Sequence, residues 1–174
     1  MPATYVNIAS QTLGSSAASV TFSNIPQTYT DLMVRISARS DNATVNDAAY
    51  FRLNAVSSTT YSETDLSGTG SSAIPERTSN NNYGGYSLRG VNGGGSTAST
   101  FGNGELYIPN YTVSTNKPMG FFGANETNAT NIDMTIGAVL WRNTAAITSI
   151  VFTCRSFSNF VSGSTFYLYG IKNS

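Results

Sequence analysis

Apolar and polar residues alternate with a period of two along much of this chain. Leu32, Val34, Ile36 and Ala38 alternate with Met33, Arg35, Ser37 and Arg39, and the rhythm returns at residues 134–141, 150–155 and 166–169. Successive side chains of an extended strand leave opposite faces, so this is the signature of half-buried strands. Shorter candidates lie at 5–13, 19–22, 50–53, 105–108 and 118–124, which makes about nine strands in all. Turn-forming residues separate them at 24–26, 40–42, 125–131, 142–144 and 162–164. No stretch carries the 3.6-residue stripe of a helix. Regular short strands with turns between them predict an all-β fold, an antiparallel β-sandwich of the jelly-roll kind, as one domain over residues 1–174. The alternation predicts that Ile36, Ile136, Leu140, Ile150, Phe152 and Leu168 point between the sheets. Met33, Val139, Val151, Tyr167 and Tyr169 then fall on outward faces, and that much exposed apolar surface predicts a homo-oligomer.

One region breaks the rhythm. Residues 56–103 hold Gly84-Gly85, Gly93-Gly94-Gly95, the run Asn80-Asn81-Asn82 and many Ser and Thr. The same region carries Tyr61, Tyr83, Tyr86, Leu88, Val91 and Phe101, which a linker lacks. It reads as a loop-rich insertion with one or two edge strands, residues 86–91 first among them, that the sandwich does not need for closure. Long ordered loops in compact domains often carry function.

Composition narrows the chemistry. Ser, Thr, Asn and Gly make up 80 of 174 residues; nine cations balance nine anions, and charged residues are only 10%. A neutral chain with two Lys has no basic footprint for nucleic-acid phosphates. His is absent and Cys154 is the single cysteine. Internal disulfides and His-based catalytic triads are therefore excluded, and a transition-metal site is disfavoured. Residues 1–5 lack a basic region followed by an apolar one, so no signal peptide is expected, and no apolar run is long enough to span a membrane as a helix. Asn42, Asn110, Asn125 and Asn128 open Asn-x-Ser/Thr triplets, which a chain this rich in Asn, Ser and Thr produces by chance.

Carboxylate pairs are the remaining route to catalysis, with Glu63, Asp65, Glu76, Glu105, Glu126 and Asp133 as candidates. Glu63 and Asp65 share a strand face, and nothing in the flanking sequence supplies an apolar pocket or a cation clamp, so they read as a solvated loop pair. The run from Asp41 to Asp47 fails the calcium-loop pattern at Ala43, Asn46 and Arg52. Gly93-Gly94-Gly95 lacks the Lys-Ser/Thr of a phosphate cradle and reads as a flexible loop. Cys154 reads as a buried small hydrophobe, and Trp141 as a strand-end core aromatic. The chain is thus expected to be no enzyme, with no cofactor and no metal.

The excess that points to function is in Tyr, Asn and Arg. Ten Tyr and eighteen Asn suit an adaptable recognition surface, though Tyr also favours strands. Tyr83, Tyr86 and Arg89 in the 56–103 segment are the candidate interface anchors, with Tyr5 and the N-terminal strand next. The alternative reading is that these tyrosines fold back on the sandwich as a satellite core.

The motifs at both ends share a pattern: Tyr5-Val6-Asn7-Ile8-Ala9-Ser10-Gln11-Thr12-Leu13, then residues 19–32, then Phe51-Arg52-Leu53-Asn54, and the ending Thr165-Phe166-Tyr167-Leu168-Tyr169-Gly170-Ile171-Lys172. Over about half the chain, residues 56–103 excepted, it resembles small virion proteins of tailed bacteriophages, including cyanophages: capsid decoration (cement), head-fibre or tail-associated proteins. That resemblance implies a β-sandwich, self-assembly, commonly as homotrimers, and no catalytic residues. The expectation is a decoration protein made in the bacterial cytoplasm and bound in the virion to the outer lattice of the major capsid protein. The other expectation is a fibre module that binds a host surface glycan. Neither involves nucleic acid or membrane.

Overall fold

The computed structural model describes residues 4–86, 88–128 and 133–172. These fold into two antiparallel sheets packed face to face. The strands are β1 (Tyr5–Thr12), β2 (Ser19–Phe22), β3 (Asp31–Arg39), β4 (Asn46–Asp47), β5 (Ala49–Leu53), β6 (Tyr61–Gly68) and β7 (Ala73–Asn81). They continue with β8 (Val91–Asn92), β9 (Gly102–Ile108), β10 (Lys117–Asn125), β11 (Asp133–Trp141), β12 (Ile150–Cys154) and β13 (Thr165–Ile171). The large sheet runs β1-β13-β3-β9-β10-β11-β6-β7, with β8 pairing β3 in parallel and β4 pairing β8; the small sheet runs β2-β12-β5.

A jelly roll lies within this order. The chain alternates between the layers, from β1 to β2, β3 and β5, and again from β9 to β12 and β13. Residues 82–86 act as a fourth strand at the small sheet's edge, because Phe51 and Gly84 exchange both backbone hydrogen bonds at 2.9 and 3.0 Å. β1-β13-β3-β9 and β2-β12-β5 with residues 82–86 are then the two four-stranded sheets of a double Greek key. The hairpins β6–β7 and β10–β11 are inserted into two of its connections. β11 pairs with β6, so the insertions merge into one four-stranded extension of the large sheet.

The core lies between the small sheet and the jelly-roll half of the large one. Val20, Phe22, Phe51, Leu53, Ile150 and Phe152 meet Val34, Ile36, Leu106, Phe166 and Leu168, all at most 4% exposed. Ile36, Ile150, Phe152 and Leu168 thus face inward as expected, and Cys154 and Trp141 are buried. Burial pushes the Cys154 thiol up to about 12, which leaves it protonated and inert.

Three expectations need correction. The 56–103 segment holds two long strands, β6 and β7, besides its loops, while of the described residues in 86–91 only Val91, in β8, lies in a strand. Second, β11 has the opposite register from that expected. Ile136 is 55% exposed and Leu140 half-buried, while Val139 is 2% exposed and packs inside. Both faces of β11 carry apolar side chains, so alternation alone does not say which is inner, and a one-residue shift swaps them. Third, the glycine run at 93–95 is packed. A Cβ at Gly93 would stand 2.0 Å from the Thr44 carbonyl oxygen, and Arg39 donates to the Gly94, Ser96, Thr97 and Thr100 carbonyls at 2.8–3.1 Å. These glycines serve close backbone approach.

Candidate functional site

Tyr50 and Arg52 leave the same outward face of β5, two residues apart. Residues 82–86 run alongside, because Gly84 has no side chain to collide with the Phe51 ring, which a Cβ would meet at 2.4 Å. Tyr83 and Tyr86 are thereby laid over the sheet beside Tyr50. Tyr83 stacks on Tyr50 with centroids 4.7 Å apart and planes at 26°; Tyr86 stacks on it at 5.9 Å and 23°. Arg52 covers the Tyr83 ring at 4.0 Å, and Arg155, just past the end of β12, covers the Tyr86 ring at 4.1 Å. The result is an Arg52–Tyr83–Tyr50–Tyr86–Arg155 cluster built from ring stacking and cation–π contact. Arg155 also donates to the Tyr86 hydroxyl at 2.9 Å. Tyr50, at 7% exposure, is the buried member, and its phenol is held above the usual tyrosine range mainly by that burial.

Phe157 completes the cluster. It meets Tyr50 and Tyr83 edge to face at 6.5 and 6.2 Å, yet remains 73% exposed, the most exposed large apolar residue among the described residues. It closes the turn after β12, its N–H bonding the Cys154 carbonyl at 3.0 Å, with a φ of 55°. A bulky residue in left-handed backbone costs about 1–3 kcal/mol, and such outliers gather at functional positions. Beside it, Asn42, Thr44, Asn46, Arg89, Arg155 and Ser156 line a polar hollow of about 290 Å³.

Arg89 is not part of this cluster. It lies under the extension, its guanidinium 3.2 Å from the Asp133 carboxylate and 3.5 Å from that of Glu76. Glu63 accepts the Tyr86 backbone N–H at 2.9 Å. Glu63 and Asp65 are 3% and 6% exposed on the inner face of β6, so the solvated-pair reading is overturned. On the neighbouring strands β7 and β11, Glu76 and Asp133 are clamped by the cation of residue 89, which no local spacing reveals. Buried carboxylates persist when paired and hydrogen-bonded, and Arg89 supplies that pairing for Asp133 and Glu76. Among the described residues, no group of three or more His, Cys, Asp or Glu is placed to hold a metal ion. In the loop that superficially resembles a calcium site, Asp41 accepts from Asn159 while Asp47 accepts from Ser40, Ser156 and Ser158.

Tyr5 lies on the opposite side of the sandwich. It is 53% exposed on edge strand β1, edge to face with Tyr169, which stacks on Tyr167. The structure therefore brings Tyr83 and Tyr86 together, places Arg89 on the adjoining hollow in ion pairs with Glu76 and Asp133, and sets Tyr5 apart from them. Tyr50, Arg52, Arg155 and Phe157 were not singled out from sequence. The Tyr-x-Arg spacing of β5 was a usable signal; the backbone strain at Phe157 was not. No model of a known protein family matches this chain, and no curated protein matches it either.

Proposed function

We propose that this is a non-enzymatic structural protein of a tailed-phage virion, a decoration protein that attaches to the outer surface of the major capsid protein lattice through the Tyr–Arg cluster and Phe157. The observation that carries the docking surface is Phe157: a largely exposed phenyl group held in strained backbone beside rings that are already fixed. Tyr and Arg dominate interface hot spots, and here their ordering cost is met before a partner arrives. The virion assignment rests on the sequence resemblance and agrees with a jelly roll, a common capsid-protein architecture. A fibre module gripping a host glycan is less favoured, because sugar stacking needs a free ring face and, of the rings in this cluster, only Phe157 offers one. Tyr83 has Tyr50 on one neighbour contact and Arg52 on another, and Tyr86 is likewise shared between Tyr50 and Arg155.

The test is co-sedimentation with capsids lacking the protein, with its position read by electron microscopy. Phe157→Asn keeps the turn, since Asn tolerates left-handed backbone. It is expected to keep stability within about 1 kcal/mol of the parent's, relief of backbone strain offsetting two lost ring contacts, and to weaken attachment at least tenfold, as loss of a hot spot of about 2 kcal/mol would do. Attachment equal to the parent's removes Phe157 as the anchor. Copies confined to a fibre or tail tip, with binding to glycan in place of capsid, overturn the decoration reading.

A further inference from the structure

The outer face of the large sheet is the other unoccupied surface. Antiparallel register aligns its side chains in rows. One row reads Asn7, Tyr169, Met33, Tyr107, Gly120, Ala138 and Thr64 across seven strands. The next reads Ser10, Tyr167, Arg35, Glu105, Phe122, Ile136 and Leu66. Ile136, Leu66 and Tyr107 are 55%, 47% and 38% exposed. Gly120 leaves a gap in the first row, where an added Cβ would find nothing within 4 Å. Around it Met33, Leu66, Tyr107, Phe122, Ile136 and Ala138 line an open groove of about 630 Å³.

We propose that this face is a two-fold interface with a second copy of the same chain, its axis lying along the strands between β3 and β9. The argument is self-complementarity about that line. Arg35 on β3 and Glu105 on β9 flank it as a 3.1 Å ion pair, 58% and 36% exposed. Rotation sets each Arg35 against Glu105 of the second copy, so four charges alternate in sign and none is left against its like. One strand further out, Tyr169 on β13 and Gly120 on β10 stand at equal distances on opposite sides of the line. Rotation brings each tyrosine over the other copy's groove. Tyr167 comes over Phe122 in the same way. Knob and hole, cation and anion all exchange under one operation, as an isologous contact requires. The area suffices. Rotation overlays six strands, β1-β13-β3 on β11-β10-β9; six strands about 4.8 Å apart and up to about 30 Å long give a footprint on the order of 850 Å², against about 800 Å² per partner in a standard stable interface. The pairing stands whether or not the capsid reading holds.

Sedimentation velocity on the full chain at micromolar concentration tests it. The parent should run at twice 18.4 kDa. Arg35→Glu and Glu105→Arg, both at exposed positions, should each run as folded monomers, with dissociation constants raised at least about tenfold by four like charges at the seam. An equimolar mixture of the two should restore the pair, because one copy then offers two anions to the other's two cations, and salt should weaken it. Gly120→Gln, whose Cβ meets nothing within 4 Å, should also give folded monomers by filling the groove. A parent that is monomeric or trimeric overturns the proposal, as do single-charge variants that pair like the parent or a mixture that stays monomeric.

Discussion

The two halves of the large sheet solve burial in opposite ways. In the jelly-roll half, β3 and β13 turn Val34, Ile36, Phe166 and Leu168 inward against the small sheet and leave Arg35, Ser37 and tyrosines outside. In the extension, β6 turns Tyr61, Glu63, Asp65 and Ser67 inward, and β11 turns in Asp133 and Thr135, while Leu66, Met134 and Ile136 face out. The three-stranded sheet covers the first half. Among the described residues, what crosses the extension is the backbone of residues 89–90: a Cβ at Gly123 would meet the Arg89 backbone at 2.8 Å. A covering sheet offers apolar side chains; a covering loop offers N–H groups and one arginine, so the surface beneath it is acidic and hydroxylic. Ser67 and Thr135 share a buried hydrogen bond at 2.9 Å, and Tyr61 ties the layers by accepting the Leu53 N–H at 2.8 Å. Polarity is set by what lies opposite, and the same strand period serves both halves.

The contrast can be broken first by truncation. Phe152→Ala removes a ring from the apolar half and should cost about 3–5 kcal/mol, the transfer term plus a cavity. Ile136→Ala, a position equally apolar in sequence, should cost less than about 1 kcal/mol in the monomer because its side chain already faces water. Urea midpoints that fall equally for the two would show that β11 has the other register.

Next, Arg89→Ala strips the counter-charge from the extension. Removing one partner of a buried pair costs about 3–5 kcal/mol. Here the Glu76 side chain is about a third exposed, so screening lowers the expectation to about 2–3 kcal/mol. The loss should be local: amide exchange should accelerate in β6 and β7 while β12 and β5 stay protected. Uniform acceleration over both sheets would mean that the halves unfold as one unit.

Cys154 gives a probe confined to the apolar half. With its thiol held up to about 12 by burial, a thiol reagent at neutral pH should label it only as fast as that half opens. In Arg89→Ala, labelling should speed far less than exchange in β6–β7.

The smallest effect concerns acid. Two hydrogen bonds from Asn159 hold the Asp41 carboxyl below its ordinary 3.8. A lowered folded value means that this pair stabilises the protein above about pH 4 and that its contribution disappears as pH falls through the folded value. Asp41→Asn should flatten that part of the acid limb slightly, since the group is exposed and screened. A stability-versus-pH curve unchanged by the substitution would remove the pair from the account.

The all-β sandwich was legible because its evidence is local. Alternation marks strands such as residues 32–38 and 150–154, and turn residues separate them, whatever lies opposite. Burial of Phe152 and Leu168 followed from the same pattern, and Tyr83 and Tyr86 stood out as aromatics in a polar stretch. β6 was not legible as a strand, because Tyr-Ser-Glu-Thr-Asp-Leu-Ser-Gly alternates between two faces that are both mostly polar, so hydrophobicity carries no period. β7 is an exposed edge whose Pro75 suits an edge strand and reads locally as a breaker. Arg89 could not be joined to Asp133 across 44 residues, nor Tyr50 to Phe157. Such pairings belong to the path of the chain between sheets. Alternation determines that a strand has two faces; only the element packed against it decides which face is inside, and whether that inside is made of hydrocarbon or of charge.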